Sequence, residues 1–170
     1  MKMNRSGIAI SLVVFLASLA AHAQTGSQQS FASIKALSGN WEGKGEMNEP
    51  VNASFKLTAG GSAVMSEIIS QMHGKSDDMI TMFNMDGDRL LMTHYCEAGN
   101  QPRMKASVSP DGKTLTFDFV DGTNITAAQP GHMQRVVFNL IDVSHHIEVW
   151  HFATADGKEI VRTFDLQKKS

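Results

Sequence analysis

A histidine and a cysteine lie two positions apart at the end of a candidate β-strand. They are His94 and Cys96, in the run from Thr93 to Arg103. Because side chains alternate between the two faces of a strand, both point to the same face. A histidine can lower the pKa of a neighbouring thiol, and its ring can also hydrogen-bond a bound molecule. The following Gly-Asn-Gln-Pro loop supplies Asn100 and Arg103 as candidate contacts at the rim of a site.

The same side chains admit other interpretations. His94 with Cys96 or Glu148 contains the residue types of an acid, base or nucleophile, although no catalytic motif orders them. His94, Cys96 and His146 are of types that suit zinc or copper, without the usual close spacing of ligands. The remaining interpretation is a hydrogen-bonded core histidine beside an inert thiol. No motif for a cofactor is present, and the sequence leaves the question of an enzyme open, with a non-enzymatic role favoured.

The strand predicted over residues 145–153 carries further candidates, and its facing depends on the next loop. A three-residue loop at 155–157 pairs Trp150 with Arg162 and turns inward His146, Glu148, Trp150 and Phe152. A two-residue loop would instead turn inward Ile147, Val149 and His151. The Ala-Asp-Gly composition of the loop favours the first arrangement, in which Arg162 is also an inward charge.

These residues are placed by a succession of short β segments separated by Asp-Gly turns at 86–87, 111–112, 121–122 and 156–157. The turns at 110–112 and 155–157 fit three-residue hairpin loops. Ten strands are predicted, near 40–47, 51–59, 63–72, 79–85, 89–97, 103–109, 114–120, 133–141, 145–153 and 159–167. Residues 29–37 have helical spacing, and 123–129 could be a helical turn or a loop.

The expected fold is all-β: a closed antiparallel meander barrel of about ten strands with a short N-terminal helical segment. Closure is favoured over a sandwich because a meander leaves exposed edges unless it closes on itself. The predicted inner faces are apolar, and they include Leu90 and Met92, Val136, Phe138 and Leu140, and Leu115, Phe117 and Phe119. Barrels of this size can hold a small ligand cavity.

A Gly-x-Trp segment opens the first strand after the helical turn, in the run Leu-Ser-Gly-Asn-Trp-Glu-Gly-Lys-Gly at 37–45. With the strand count, it resembles the calycin superfamily, which includes lipocalins and fatty-acid-binding proteins, and most closely exported bacterial lipocalin-like barrels of unknown function. The resemblance implies that Trp41 packs against Arg162 to close the barrel. The segment is also similar to nitrobindin-type haem barrels, whose iron ligand is a histidine near the end of the barrel; the last strand here has none.

The N-terminus has the three regions of a secretory signal. Lys2 and Arg5 precede an apolar stretch over residues 8–20, and a small-x-small cleavage site follows at 21–23. We therefore expect a signal peptide over 1–23 and a single domain over 24–170, periplasmic or secreted. Without the two signal cations, 13 basic residues face 17 acidic ones. This balance argues against nucleic acid as a partner.

The function best supported by the sequence is an exported protein that holds a small, mostly apolar ligand in a barrel cavity. The candidate ligand contacts are His94, Cys96, Asn100, Arg103, Glu148, Trp150 and Arg162. An enzyme and a haem or metal protein are the alternatives. No later stretch is apolar enough to predict a membrane span, and the sequence does not set the oligomeric state.

Overall fold

The structure is a computed structural model that describes residues 26–72 and 75–170. The predicted signal peptide lies outside the described residues. Within them, one α-helix, α1 (Gly26–Ala36), precedes the sheet, and a short 3-10 turn (Ala59–Gly61) joins two strands. The strands are β1 (Gly39–Lys44), β2 (Pro50–Thr58), β3 (Ala63–Met72), β4 (Lys75–Asp86), β5 (Arg89–Tyr95), β6 (Gln101–Val108), β7 (Thr114–Thr123), β8 (His132–Asp142), β9 (His145–Ala153) and β10 (Glu159–Lys168).

The ten strands form a closed antiparallel barrel. Each strand pairs with its neighbour in sequence, and β1 also pairs with β10, from Trp41 opposite Lys168 to Lys44 opposite Asp165. Closure leaves the sheet without an open edge. The predicted all-β meander barrel with a short N-terminal helix is therefore confirmed, and the two-layer sandwich is wrong.

The lengths of the hairpin loops set how the residues of β9 pair with those of β10, and those of β6 with those of β7. Thr154 N–H donates to Lys158 O at 2.9 Å, which encloses the three-residue loop at 155–157, and Gly157 has the left-handed φ of 79° that this loop requires. The β6–β7 hairpin differs from the expectation. Ser109 N–H donates to Thr114 O at 2.9 Å, so this loop has four residues, tightened by a turn in which Gly112 N–H donates to Ser109 O.

The Asp-Gly pair at 121–122 is not a turn. Strand β7 continues to Thr123, and Gly122 lies opposite Pro102. A Cβ on Gly122 would lie 3.0 Å from the Pro102 Cα, so close approach of the backbones accounts for the glycine. A bulge in β7 precedes this glycine: Arg103 lies opposite Asp121 and Met104 opposite Phe119, so Val120 is the extra residue. Beside the bulge Phe119, predicted as an inner residue, is partly exposed against the His132 ring.

Helix α1 covers one end of the barrel. It buries Phe31 and Ile34, and the Trp41 indole N–H donates to Leu37 O at 2.7 Å just beyond the helix. The helix lies beside the β6–β7 hairpin, so we call this end the helix end. Because successive strands are antiparallel, β3, β5 and β9 end at the other end of the barrel, which we call the open end. The second predicted helical segment, 123–129, is a tight turn closed by Thr126 and Gln129.

The half of the barrel nearest the helix is filled by side chains. Four phenyl rings pack edge to face with centroids 5.6–6.5 Å apart, from Phe55, Phe83, Phe117 and Phe138. Such edge-to-face packing is the geometry that the ring quadrupole favours. The expected cavity therefore does not run the length of the barrel, and space for a guest lies at the open end.

Candidate ligand-binding site

A cleft of about 360 Å³ lies at the open end of the barrel. Strands β4, β8, β9 and β10 and the segment after β5 contribute its lining: Asp77, Met79, Cys96, Glu97, Ala98, Met133, Phe152, Ile160 and Arg162. Its volume is at the small end of the roughly 300–1,000 Å³ typical of ligand pockets. Apolar walls with a few charged groups are the composition of a site for a small amphipathic molecule.

Arg162 is the cation of this cleft. It lies opposite Trp150 in the β9–β10 pair, as the three-residue loop predicts, and its strand neighbours Phe164 and Leu166 are buried on the same face. The guanidinium is half-buried and makes no hydrogen bond or ion pair within 4 Å to any residue in the ranges that the structure covers. Arg162 thus lines the cleft with donors that bond to none of the described residues.

Two carboxylates share the cleft with it. Burial raises the pKa of Asp77, and the negative charge of Glu97 raises it further, whereas the positive charge of Arg162 acts in the opposite direction. Asp78, the next residue on the strand, adds a smaller repulsion. Asp77 therefore holds a proton more readily than an exposed aspartate does.

His94 lies one inward position deeper than Cys96 and is fully buried. Its Nδ1 is 3.0 Å from the Thr81 hydroxyl, and its ring centroid is 4.8 Å from that of Trp150. Burial lowers the pKa of His94 to about 4, so the ring is neutral at pH 7. Its Nε2 has no partner among the described residues. His94 and Trp150 thus lie together beneath the cleft.

Cys96 lines the cleft as a protonated thiol. Burial is the main cause of its raised pKa, and Asp77 and Glu97 add to the effect. A hydrogen bond from the Ala98 backbone opposes the shift without reversing it. The expectation that His94 activates this thiol is wrong, because a neutral ring supplies no positive charge.

Glu148 is part of a buried network that the cleft does not reach. Its carboxylate pairs with His146 Nε2 at 3.0 Å and accepts the Trp150 indole N–H at 2.9 Å. The predicted inward facing of all three is confirmed, while Phe152, two positions further, is half-buried and lines the cleft. His146 packs against the Trp41 ring at 4.3 Å, so the structure does not bring it to Cys96 as the metal hypothesis requires.

Asn100 and Arg103 do not line the cleft. Asn100 is buried, and its side-chain N–H donates to Gly131 O at 2.7 Å, which ties the β5–β6 loop to the start of β8. Arg103 points to the outer face, where its guanidinium makes two hydrogen bonds of 2.6 Å to Asp121. The outward position follows from strand alternation, since its neighbours Pro102 and Met104 are buried.

Trp41 and Arg162 are not brought together. Trp41 lies opposite Lys168, whose ammonium is 5.4 Å from the ring centroid. Arg162 is six residues earlier on β10, or about 20 Å along an extended strand. The cation over the barrel tryptophan is therefore Lys168, and Arg162 is left to the cleft at the open end.

Sequence reasoning missed Asp77, Glu97, Met79, Met133 and Ile160 as lining residues. Asp77 was missed because strand β4 begins at Lys75, whereas the sequence predicted its start at Met79. Side-chain alternation could have predicted it, because Asp77 lies on the same inward face of the strand as Met79 and Thr81.

No family model matches the sequence, and no curated protein matches it significantly. Within residues 26–72 and 75–170, no group of three histidine, cysteine or acidic side chains is arranged to hold a metal ion. In the same ranges no helix is long and apolar enough to span a bilayer.

Proposed function

We propose that this protein is an exported, calycin-like binding protein that holds a small, mostly apolar molecule in the cleft at the open end. One observation carries this function: a cleft with apolar walls contains the guanidinium of Arg162, which forms no ion pair with any described residue. The guest contacts Met79, Met133, Phe152 and Ile160 with its apolar part and leaves its polar end near Arg162.

The filled half of the barrel limits the guest in size. The phenyl cluster around Phe138 and the His94–Trp150 contact occupy the space below the cleft, so a long chain cannot thread through the barrel. This geometry confines the guest to the cleft at the open end. Export follows from the sequence pattern over residues 1–23, and a protein outside the cytoplasm meets such molecules from the cell surroundings.

The single cysteine of the chain provides a direct test. Cys96 lines the cleft, so a guest there shields the thiol from an alkylating reagent. With decanol as the neutral probe, we expect Cys96 alkylation by a maleimide to slow several-fold and in a saturable way. A matched control moves the thiol to the outer face in the double variant Cys96→Ser/Tyr95→Cys, because Tyr95 is exposed.

In the control, decanol should leave the alkylation rate unchanged. Equal rates for Cys96 with and without decanol, over the full range of its solubility, would refute a binding cleft at this position. Native mass spectrometry of refolded protein mixed with a cell lipid extract gives an independent readout, in which we expect one retained small molecule per chain. Export is tested separately, by whether the N-terminus of protein recovered outside the cytoplasm begins near Gln24.

A further inference from the structure

Arg162 and Asp77 are opposite charges in one cleft that do not bond to each other. Arg162 comes from β10 and Asp77 from β4, and both line the same space. Neither side chain forms a hydrogen bond or an ion pair within 4 Å with any residue of the described chain. The field of Arg162 is nonetheless felt at Asp77, where it favours the charged carboxylate. A gap between a donor and an acceptor therefore lies inside an apolar cleft.

A third unused polar atom lies beside Asp77. Ser70 is its partner across the β3–β4 pair, is fully buried, and has a hydroxyl without a partner among the described residues. Cross-strand partners have Cβ atoms about 4.5–5.5 Å apart. Asp77 thus lines the cleft together with Arg162, and Ser70 is its buried polar neighbour on the adjacent strand.

The charges in the cleft restrict what can fill the gap. Asp77 and Glu97 give two negative charges and Arg162 one positive charge, while Cys96 is a protonated thiol. An ammonium group would meet the guanidinium and leave its donors unused. A carboxylate arriving alone would meet Asp77 at close range, where like charges repel strongly. A carboxylate that arrives with a proton satisfies both sides.

We propose that the guest carries a carboxyl group that binds between Arg162 and Asp77, with one proton shared between the two carboxyl groups. This inference rests on the proposed function and adds the chemical class of the guest. The balance is simple: guest carboxylate, Asp77 carboxylate and one proton from solvent form the complex. Arg162 donates to the guest oxygen, and charge-assisted bonds of this kind are roughly twice as strong as neutral ones.

Proton uptake makes binding depend on pH in a defined direction. Where both free carboxyl groups are ionised, each bound guest takes up one proton, so affinity falls as pH rises, by up to about tenfold for each pH unit. The groups that face Asp77 are Glu97 and Cys96 after β5, and Arg162 on β10; Asp78 adjoins it on its own strand. Asp77 is the proton acceptor because its carboxyl group is half-buried in the wall, whereas Glu97 is exposed.

The test compares three probes of the same length: decanoate, decanamide and decanol. Titration calorimetry at pH 7 in two buffers of different ionisation enthalpy measures the protons taken up. We expect about one proton for decanoate and none for the other two. Asp77→Asn should bind decanoate without proton uptake and with an affinity that is flat from pH 6 to 8, because its amide donates to the carboxylate. The matched control Glu97→Gln should retain the uptake.

Arg162→Gln should weaken decanoate at least tenfold and should weaken decanol much less, because the hydroxyl end of decanol carries no charge. The inference is overturned if decanoate binds without proton uptake, if decanamide binds more tightly than decanoate at pH 6, or if Glu97→Gln rather than Asp77→Asn abolishes the uptake. If decanol slows the alkylation of Cys96 in any of these cases, the proposed function stands and only the carboxyl inference fails. If no probe shields Cys96, the proposed function itself fails.

Discussion

The rings of His94 and Trp150 meet at 4.8 Å with a tilt of 47°, and this contact lies between the cleft and the buried Glu148 network. One residue from β5 and one from β9 thereby join across the interior. The contact also explains why His94 is desolvated, since Trp150 covers one side of its ring and Thr81 holds its Nδ1. A neutral histidine here is part of the packed interior.

The buried histidine should make stability depend on pH. In the folded chain burial lowers the pKa of His94 to about 4, whereas an unfolded histidine titrates near 6.5. The stabilisation is therefore complete above about pH 6.5 and declines as pH falls toward 4, because only the unfolded chain takes up the proton. The expected loss is on the order of 3 kcal/mol across this range, at about 1.4 kcal/mol per pH unit.

Urea unfolding from pH 4.5 to 7.5 measures this dependence. His94→Gln should flatten the slope relative to the unsubstituted chain. Met92→Leu, a buried change on the same strand that titrates nothing, should keep the slope and shift only the absolute stability. A His94→Gln variant with an unaltered slope would show that another group sets the pH dependence.

Removing Glu148 should destabilise the barrel severely. The carboxylate is fully buried and accepts from both His146 and Trp150, so Glu148→Ala leaves two buried polar groups without a partner. We expect a loss of about 3–5 kcal/mol in the free energy of unfolding. Glu159→Ala removes an exposed carboxylate that pairs with His151 and should cost less than about 1 kcal/mol. Similar costs for the two variants in urea unfolding would contradict a structural role for the buried network.

Much of the fold was predictable because the side-chain period of a strand does not depend on its partner. The inward set His146, Glu148 and Trp150 followed from alternation plus one loop length, and the pairing of Trp150 with Arg162 followed from the same loop. Alternation does not give the register in which β1 pairs with β10 when the barrel closes. That register decides which inward side chains meet across the interior, and it places Trp41 opposite Lys168 instead of Arg162.

The two acidic residues of the cleft, Asp77 and Glu97, were not predicted for a related physical reason. Polar residues at the end of a strand resemble the start of a loop, so Asp77 lies outside the predicted strand. Glu97 follows the inward-facing Cys96 in a predicted strand, and alternation therefore predicts an outward side chain for it. Arg103 was misplaced in the opposite sense, because a cation next to an unusual loop suggested a contact with a ligand. In the fold the Arg103 guanidinium forms an ion pair with Asp121 on the next strand.

Gly43 should be required for closure of the barrel. It pairs with Leu166 across the β1–β10 seam, and a Cβ there would lie 1.8 Å from the Asp165 carbonyl oxygen. Since the obstacle is backbone, Gly43→Ala must separate the two strands, and we expect a loss of more than about 3 kcal/mol. Gly87→Ala meets no atom within 4 Å but has a φ of 60°, so it should cost only about 1–2 kcal/mol.

Hydrogen exchange separates a seam defect from general destabilisation. In Gly43→Ala the amides of β1 and β10 should lose protection before those of β4 and β5, whereas Gly87→Ala should affect the β4–β5 hairpin first. Uniform loss of protection in Gly43→Ala would place the effect of this glycine outside the seam.

Truncation to alanine should be costly within the phenyl cluster and nearly neutral at an exposed position. Phe117 is fully buried within the phenyl cluster, so Phe117→Ala removes contacts to two neighbouring rings and should cost about 3–5 kcal/mol. Val143→Ala, at a side chain that is 90% exposed, should change stability by less than about 0.5 kcal/mol. Because the cluster lies below the His94–Trp150 contact, decanol should still shield Cys96 in Phe117→Ala at temperatures where that variant is folded. Loss of shielding in the folded variant would mean that the guest reaches the phenyl layer, and the cleft would then have to extend into the helix-end half.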